Sequence, residues 1–155
     1  MVRKAPMLQL CVMKICSTCG TQYPANDTLE VCAICADDRQ YIPQGGQVWT
    51  TPEALRKGHS VRIAQVAAGV FDLTIVPTFA IGQRALLVGN VLWDCIPLLD
   101  EGLKAFIKGR GGLEAIAFSH PHYYSNMNEW AEASIVPSTF TKAMPNGSFT
   151  RGSAS

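Results

Sequence analysis

Four cysteines set as two C-x-x-C pairs, Cys16 with Cys19 and Cys32 with Cys35, constrain this chain more than any other feature. Zinc takes four soft thiolates tetrahedrally, with each sulfur about 2.3 Å from the ion, and one C-x-x-C turn presents two of them. Two such turns make a whole site only if the chain between them folds back. In CSTCG, Gly20 can take the positive φ that a tight turn after the second cysteine requires, whereas CAICA places Ala36 there. The intervening GTQYPANDTLEV carries the turn formers Pro24, Asn26 and Asp27 and suits a short hairpin. Residues 13–42 therefore read as a zinc ribbon with a structural zinc held by Cys16, Cys19, Cys32 and Cys35. The alternative is a pair of disulfides or a redox C-x-x-C.

Redox setting separates these. MVRKAPMLQLCVM begins basic, but its apolar run is short and interrupted and no small-residue cleavage site follows. A cytoplasmic location with reduced thiols is the expectation, and it favours metal over disulfides. The sequons at Asn26 and Asn146 would matter only in a secreted chain. Cys11 and Cys95 lie outside the pair spacing and read as small apolar residues.

With 48% hydrophobic and 16% charged residues, the chain can bury one moderate core beside a small metal-stapled module. The longest apolar stretch, IAQVAAGVFDLTIVPTFAIG, is broken by Gln65, Asp72 and Pro77, so no membrane span is expected. A net charge of +1 with scattered basic residues provides no broad field for nucleic acid, which is not an expected partner.

The organisation reads as a leader over 1–12, the ribbon over 13–42, an α/β domain of layered α+β type over 43–135 and a disordered tail over 136–155. Thr51 and Pro52 suit the N-cap and first position of a short helix ending near Gly58. FAIGQRALLV and VLWDCI flank Gly89-Asn90, a pair fit for a tight turn between antiparallel strands. Asp100 can cap a helix to about Lys108 whose Leu103, Phe106 and Ile107 share one face, and GRGG ends it. LEAIAFSH reads as a buried strand, and Ser125 can cap a helix over NMNEWAEAS. Helices interleaved with strands argue for a layered α/β fold.

A second constellation stands at the end of the LEAIAF strand. His120 and His122, two apart in extended chain, point to the same side and could reach one metal. The alternative is two surface histidines in a loop kinked by Pro121. Sites in open α/β sheets tend to lie just beyond strand carboxyl ends, where this pair falls.

FAIGQRALLV, NVLWDC and AIAFSHPHYYSNMNEW resemble the first half of metallo-β-lactamase-fold hydrolases, and the similarity is to a branch with an N-terminal zinc ribbon like CSTCGTQYPAND. The resemblance runs from about Met13 to Trp130 and implies the zinc ribbon followed by the first half of an αββα sandwich. In the family, H-x-H-x-D-H supplies metal ligands. Here His120 and His122 match the leading histidines, Tyr124 stands in the Asp slot and Ser125 in the last His slot. Asp94 in WDC resembles the family's strand-end Asp, and reads equally as a turn cap.

The resemblance further implies a zinc-dependent hydrolase in which metal-bound water attacks an ester, amide, thioester or phosphoester. Nothing after Ala133 resembles the family's second half, so a truncated chain with impaired or no activity is the expectation. Catalytic residues and the small-molecule substrate are not specified. A catalytic zinc needs three protein ligands, and the remaining imidazole is His59. The expected cofactors are thus one structural zinc at the cysteines and a second, weakly held zinc at His120 and His122. An apolar sheet face lacking its partner layer implies self-association. The competing function is a non-catalytic zinc-ribbon module that binds a protein or nucleic acid.

Overall fold

The computed structural model describes residues 13–37, 44–124, 126–133, 141–143 and 149–151. The expected leader, Cys11, the Ser125 cap and most of the tail lie outside these residues. Along the chain come β1 (Met13–Cys16), β2 (Gln22–Pro24), β3 (Trp49–Thr50), α1 (Pro52–Gly58), β4 (Ser60–Ala67) and β5 (Val70–Val76). There follow β6 (Arg84–Val88), β7 (Val91–Trp93), α2 (Glu101–Gly109), β8 (Ala115–Ala117), a 3-10 turn (Pro121–Tyr124) and α3 (Met127–Ala133). Within the expected tail, β9 (Thr141–Ala143) pairs antiparallel with β10 (Phe149–Arg151).

The architecture is mixed α+β. An N-terminal sheet runs in the order β2-β1-β3, all antiparallel, and a five-stranded sheet runs β4-β5-β6-β7-β8. In the larger sheet the first four strands are antiparallel neighbours, while β8 returns through α2 to lie parallel to β7. A metallo-β-lactamase-type sandwich is not what these elements show.

Two turns fix the antiparallel part. Gly89 at φ 58 and Asn90 join β6 to β7 with Val88 opposite Val91, the tight hairpin the dipeptide predicts. Ala68 and Gly69 do the same between β4 and β5, with Ala67 opposite Val70. The β4–β5 hairpin was not anticipated, because its segment is apolar on neighbouring positions and register shifts between Gln65 and Ala67, which breaks the alternation. The expected strand beginning at Phe79 starts only at Arg84. Residues Phe79 to Gly82 instead turn, the Gly82 amide donating to the Phe79 carbonyl at 2.9 Å.

Helix α1 is capped by Thr51, whose Oγ1 accepts from the Ala54 amide at 3.2 Å. Helix α2 is capped by Asp100 and buries Leu103 and Ile107. Its Phe106 packs edge-on to Phe71 of β5, ring centroids 5.1 Å apart. Strand β8 is half-buried along its whole length rather than buried. The core gathers Leu73, Ile75, Leu87, Leu92, Ile96 and Leu99 from the large sheet and its connections with Leu55, Leu103 and Trp130 from the helices. Trp130 donates through Nε1 to the Ile96 carbonyl at 3.2 Å, and Arg56 of α1 pairs with Glu129 of α3 at 2.6 Å. Ile15 of β1 belongs to the same core, so the N-terminal sheet and the body share one apolar interior.

The opposite face of the large sheet carries Leu86, Val88 and Trp93, with Val88 47% and Trp93 50% exposed. On that face Asp72 is buried beneath Arg84 and Arg62, which both reach its carboxylate. No helix among the described residues is long and apolar enough to cross a membrane.

Candidate metal centre

The β1–β2 hairpin presents the first pair of cysteines. Its turn closes where the Gly20 amide donates to the Cys16 carbonyl at 2.8 Å and the Cys16 amide to the Thr21 carbonyl at 2.9 Å. The second pair sits on a turn closed by the Ala36 amide and Cys32 carbonyl at 2.9 Å. Strand β3 lies on the far side of β1, with Trp49 opposite Cys16.

The four sulfurs are buried and all lie within 4.8 Å of one another. Cys16 Sγ is 3.7 Å from Cys35 Sγ, and Cys19 Sγ is 3.5 Å from Cys32 Sγ. A tetrahedron with metal–sulfur bonds of about 2.3 Å has edges of roughly 3.8 Å, so this spacing suits one ion. All four are free thiols, which leaves the disulfide reading without support. Among the described residues this is the one group of three or more metal-ligating side chains. The cluster can hold a metal ion such as zinc.

Hydrogen bonds converge on the sulfurs from outside. Thr21 Oγ1 is 3.1 Å from Cys19 Sγ, and the Tyr23 hydroxyl is 3.3 Å from Cys32 Sγ. Gln47 donates through Nε2 to Cys16 Sγ at 3.1 Å, and its Oε1 accepts from the Cys32 amide at 3.0 Å. Hydrogen bonding by Cys19, with that from Gln47, holds the Cys16 thiol down to about 4 against the opposing effect of burial. Cys19, the donor in that pair, moves the other way, and burial pushes Cys35 up to about 12. Metal binding to such a cluster takes the sulfurs as thiolates, so it is coupled to proton release. Tyr23 is also raised, by burial and by donating to Cys32.

The module docks on the body beside this cluster. Gln83 donates from Nε2 to the Cys19 carbonyl, and Gln22 Nε2 lies 3.4 Å from the Pro97 carbonyl. Gly20 has φ +78, and a Cβ there would fall 2.6 Å from Pro97 Cγ and 2.7 Å from Gln83 Nε2. The sequence shows why Gly20 suits a turn; the close approach to Pro97 became visible only in the fold. Gln47 and Gln83 were missed entirely, since no spacing rule links a glutamine to a distant cysteine.

The strand-end histidines also come together. His120 and His122 stack with ring centroids 4.6 Å apart, and their Nδ1 atoms are 2.7 Å from each other. Burial and His120 lower the pKa of His122. His122 Nε2 and both side-chain polar atoms of Asn126, which is 3% exposed, are buried without hydrogen-bond partners among the described residues. No third histidine, cysteine or carboxylate among the described residues joins the pair as a ligand group. His59, the remaining imidazole, lies at the end of α1 with Nδ1 3.3 Å from the Leu55 carbonyl and its ring edge-on to Phe79. Asp94 acts as a clasp between strand ends. Its carboxylate accepts from the Ser119 amide and the Ser119 hydroxyl, both at 2.7 Å, which stabilises its φ of 66. Cys95 is buried, and burial raises its thiol pKa.

Comparison with known proteins corrects the resemblance read from the sequence. No family model matches, and no solved structure matches, so membership of the metallo-β-lactamase fold has no support. Its motif had shrunk here to His120 and His122, too short a pattern to distinguish ligands from two histidines in a turn. The chain is similar to the uncharacterized protein YmaE of Bacillus subtilis (strain 168), 44% identical over 130 residues. That alignment takes in 79% of this chain and 47% of the relative, so the chain spans about half the length of the protein it matches.

Proposed function

We propose that the four cysteines hold one zinc ion in a structural role, clamping the two C-x-x-C turns of the N-terminal module together. The observation that carries this reading is the set of four buried sulfurs within 4.8 Å, and the module they define is seated on the body by Gln83, which reaches the Cys19 carbonyl, and by Gly20 close against Pro97. Zinc is favoured because a four-sulfur tetrahedral donor set matches its usual structural sites. When bound, it contributes metal-binding free energy that doubles as folding energy, on the order of 10–16 kcal/mol in small zinc peptides. Four protein ligands leave no open position for water, so chemistry is not assigned to this centre.

A second reading concerns the strand end. The Nδ1 atoms of His120 and His122, 2.7 Å apart, and the unpartnered His122 Nε2 beside them make this pair the candidate for an exchangeable divalent metal, and zinc-dependent hydrolysis of a small molecule is the activity such a site would carry. Two imidazoles fall one short of the three ligands typical of a catalytic zinc, so such activity would be weak.

Metal analysis of reductively purified protein separates these possibilities. One zinc per chain, lost in Cys16→Ser and retained in His120→Ala/His122→Ala, is expected for the structural reading. Purified protein without zinc but with cysteines paired in disulfides would sink it. A second, readily chelated equivalent abolished by the histidine changes would establish the strand-end site.

A further inference from the structure

We propose that Gln47 is a positioning residue of the metal centre, fixing the two halves of the site at the spacing one ion requires. This rests on the zinc reading above. Cys16 belongs to the first C-x-x-C turn and Cys32 to the second, and one amide side chain touches both. Its Nε2 donates to Cys16 Sγ at 3.1 Å and to the Val48 carbonyl at 3.0 Å, while its Oε1 accepts from the Cys32 amide at 3.0 Å.

The backbone holds that amide in place. The Ser17 amide donates to the Val48 carbonyl at 3.0 Å, and the next two residues pair with β1 as β3. Gln47 is therefore anchored to the first turn and reaches across to the second. Four thiolates around a dication leave excess negative charge on sulfur, and an N–H aimed at sulfur disperses it and orients the ligand. Gln47 does for Cys16 what the Thr21 and Tyr23 hydroxyls do for Cys19 and Cys32. It differs in joining both pairs of ligands.

The test uses the full zinc-loaded chain, with Gln47→Leu and Gln47→Glu. Zinc affinity is read by competition with a chromophoric chelator, and alkylation of each cysteine is followed by mass spectrometry. Gln47→Leu should weaken zinc binding about 10- to 100-fold. Cys16 should then alkylate faster, with a smaller change at Cys19. Gln47→Glu keeps an acceptor for the Cys32 amide but sets a carboxylate beside the Cys16 thiolate, so it should bind zinc at least as weakly. Should Gln47→Leu fail to fold, Gln47→Glu carries the test through the same two readouts.

A role in general stability alone would speed alkylation equally at all four cysteines, and that result overturns the proposal. Unchanged affinity with unchanged Cys16 reactivity does so too. If the unmodified chain holds no zinc, the zinc reading itself fails and this inference falls with it, an outcome distinct from a variant that binds like the unmodified chain.

Discussion

At Gly20 one residue serves two demands. The turn after Cys19 needs a positive φ, here +78, and the body needs its backbone close, with space for no side chain between Gly20 and Pro97. Gly20→Ala meets both objections: alanine resists that φ, and its methyl would overlap Pro97 and Gln83. A loss of about 1–3 kcal/mol is expected, measured by urea denaturation of the zinc-loaded protein. A variant as stable as the parent would show that the module does not dock against the body as described. The first half of this argument was legible in CSTCG, because the turn is local. The second half was not, because Pro97 and Gln83 come close only through the tertiary fold. The same distinction separates the cysteines, whose spacing announces their chemistry, from Gln47, whose hydrogen bonds reach residues far away in sequence.

Among the elements, those bounded by local chemistry were readable. Thr51 with Pro52, the Gly89-Asn90 turn and Asp100 each mark an end through their own side chain or φ. Asp100 does more than its helix-cap pattern indicates. Its Oδ1 accepts from the Leu103 amide at 2.8 Å, and its Oδ2 accepts from the Val61 amide at 2.8 Å. One carboxylate thus caps α2 and satisfies a backbone donor at the start of β4, an edge strand in the sheet order. Asp100→Ala should cost about 1–3 kcal/mol, because a part-buried strand amide loses its partner along with the cap. Thermal melts should show that drop, with Asp100→Asn recovering part of it; a change confined to a few tenths of a kcal/mol would mean water replaces both bonds. The β4–β5 hairpin went unread for the opposite reason. Its alanines and valines carry little alternation, its register shifts before the turn, and pairing with β6 rather than local pattern completes it.

At the scale of the whole molecule, the metal module and the body share one apolar core. Ile15 stands next to Cys16 in β1 and is fully buried in the core shared with Leu55, Leu73 and Trp130. Gln83 reaches from the body to the Cys19 carbonyl, and Gln22 extends toward Pro97 from the other side. Zinc bound by the four thiolates would therefore stabilise more than the N-terminal sheet. Its removal would free the two C-x-x-C turns, and on this reading would loosen β1 and expose Ile15. Chelation under reducing conditions should lower the midpoint of the entire melt, with far-UV circular dichroism and Trp fluorescence moving through the same transition. The fluorescence change is informative because Trp130 is fully buried in the body core, whereas Trp49 lies in the N-terminal sheet. Comparing Trp49→Phe with the parent isolates the body signal. If that signal melts at the same temperature with and without zinc while the N-terminal sheet is lost, the body folds independently of the metal module, and the shared core around Ile15 contributes little to holding them together.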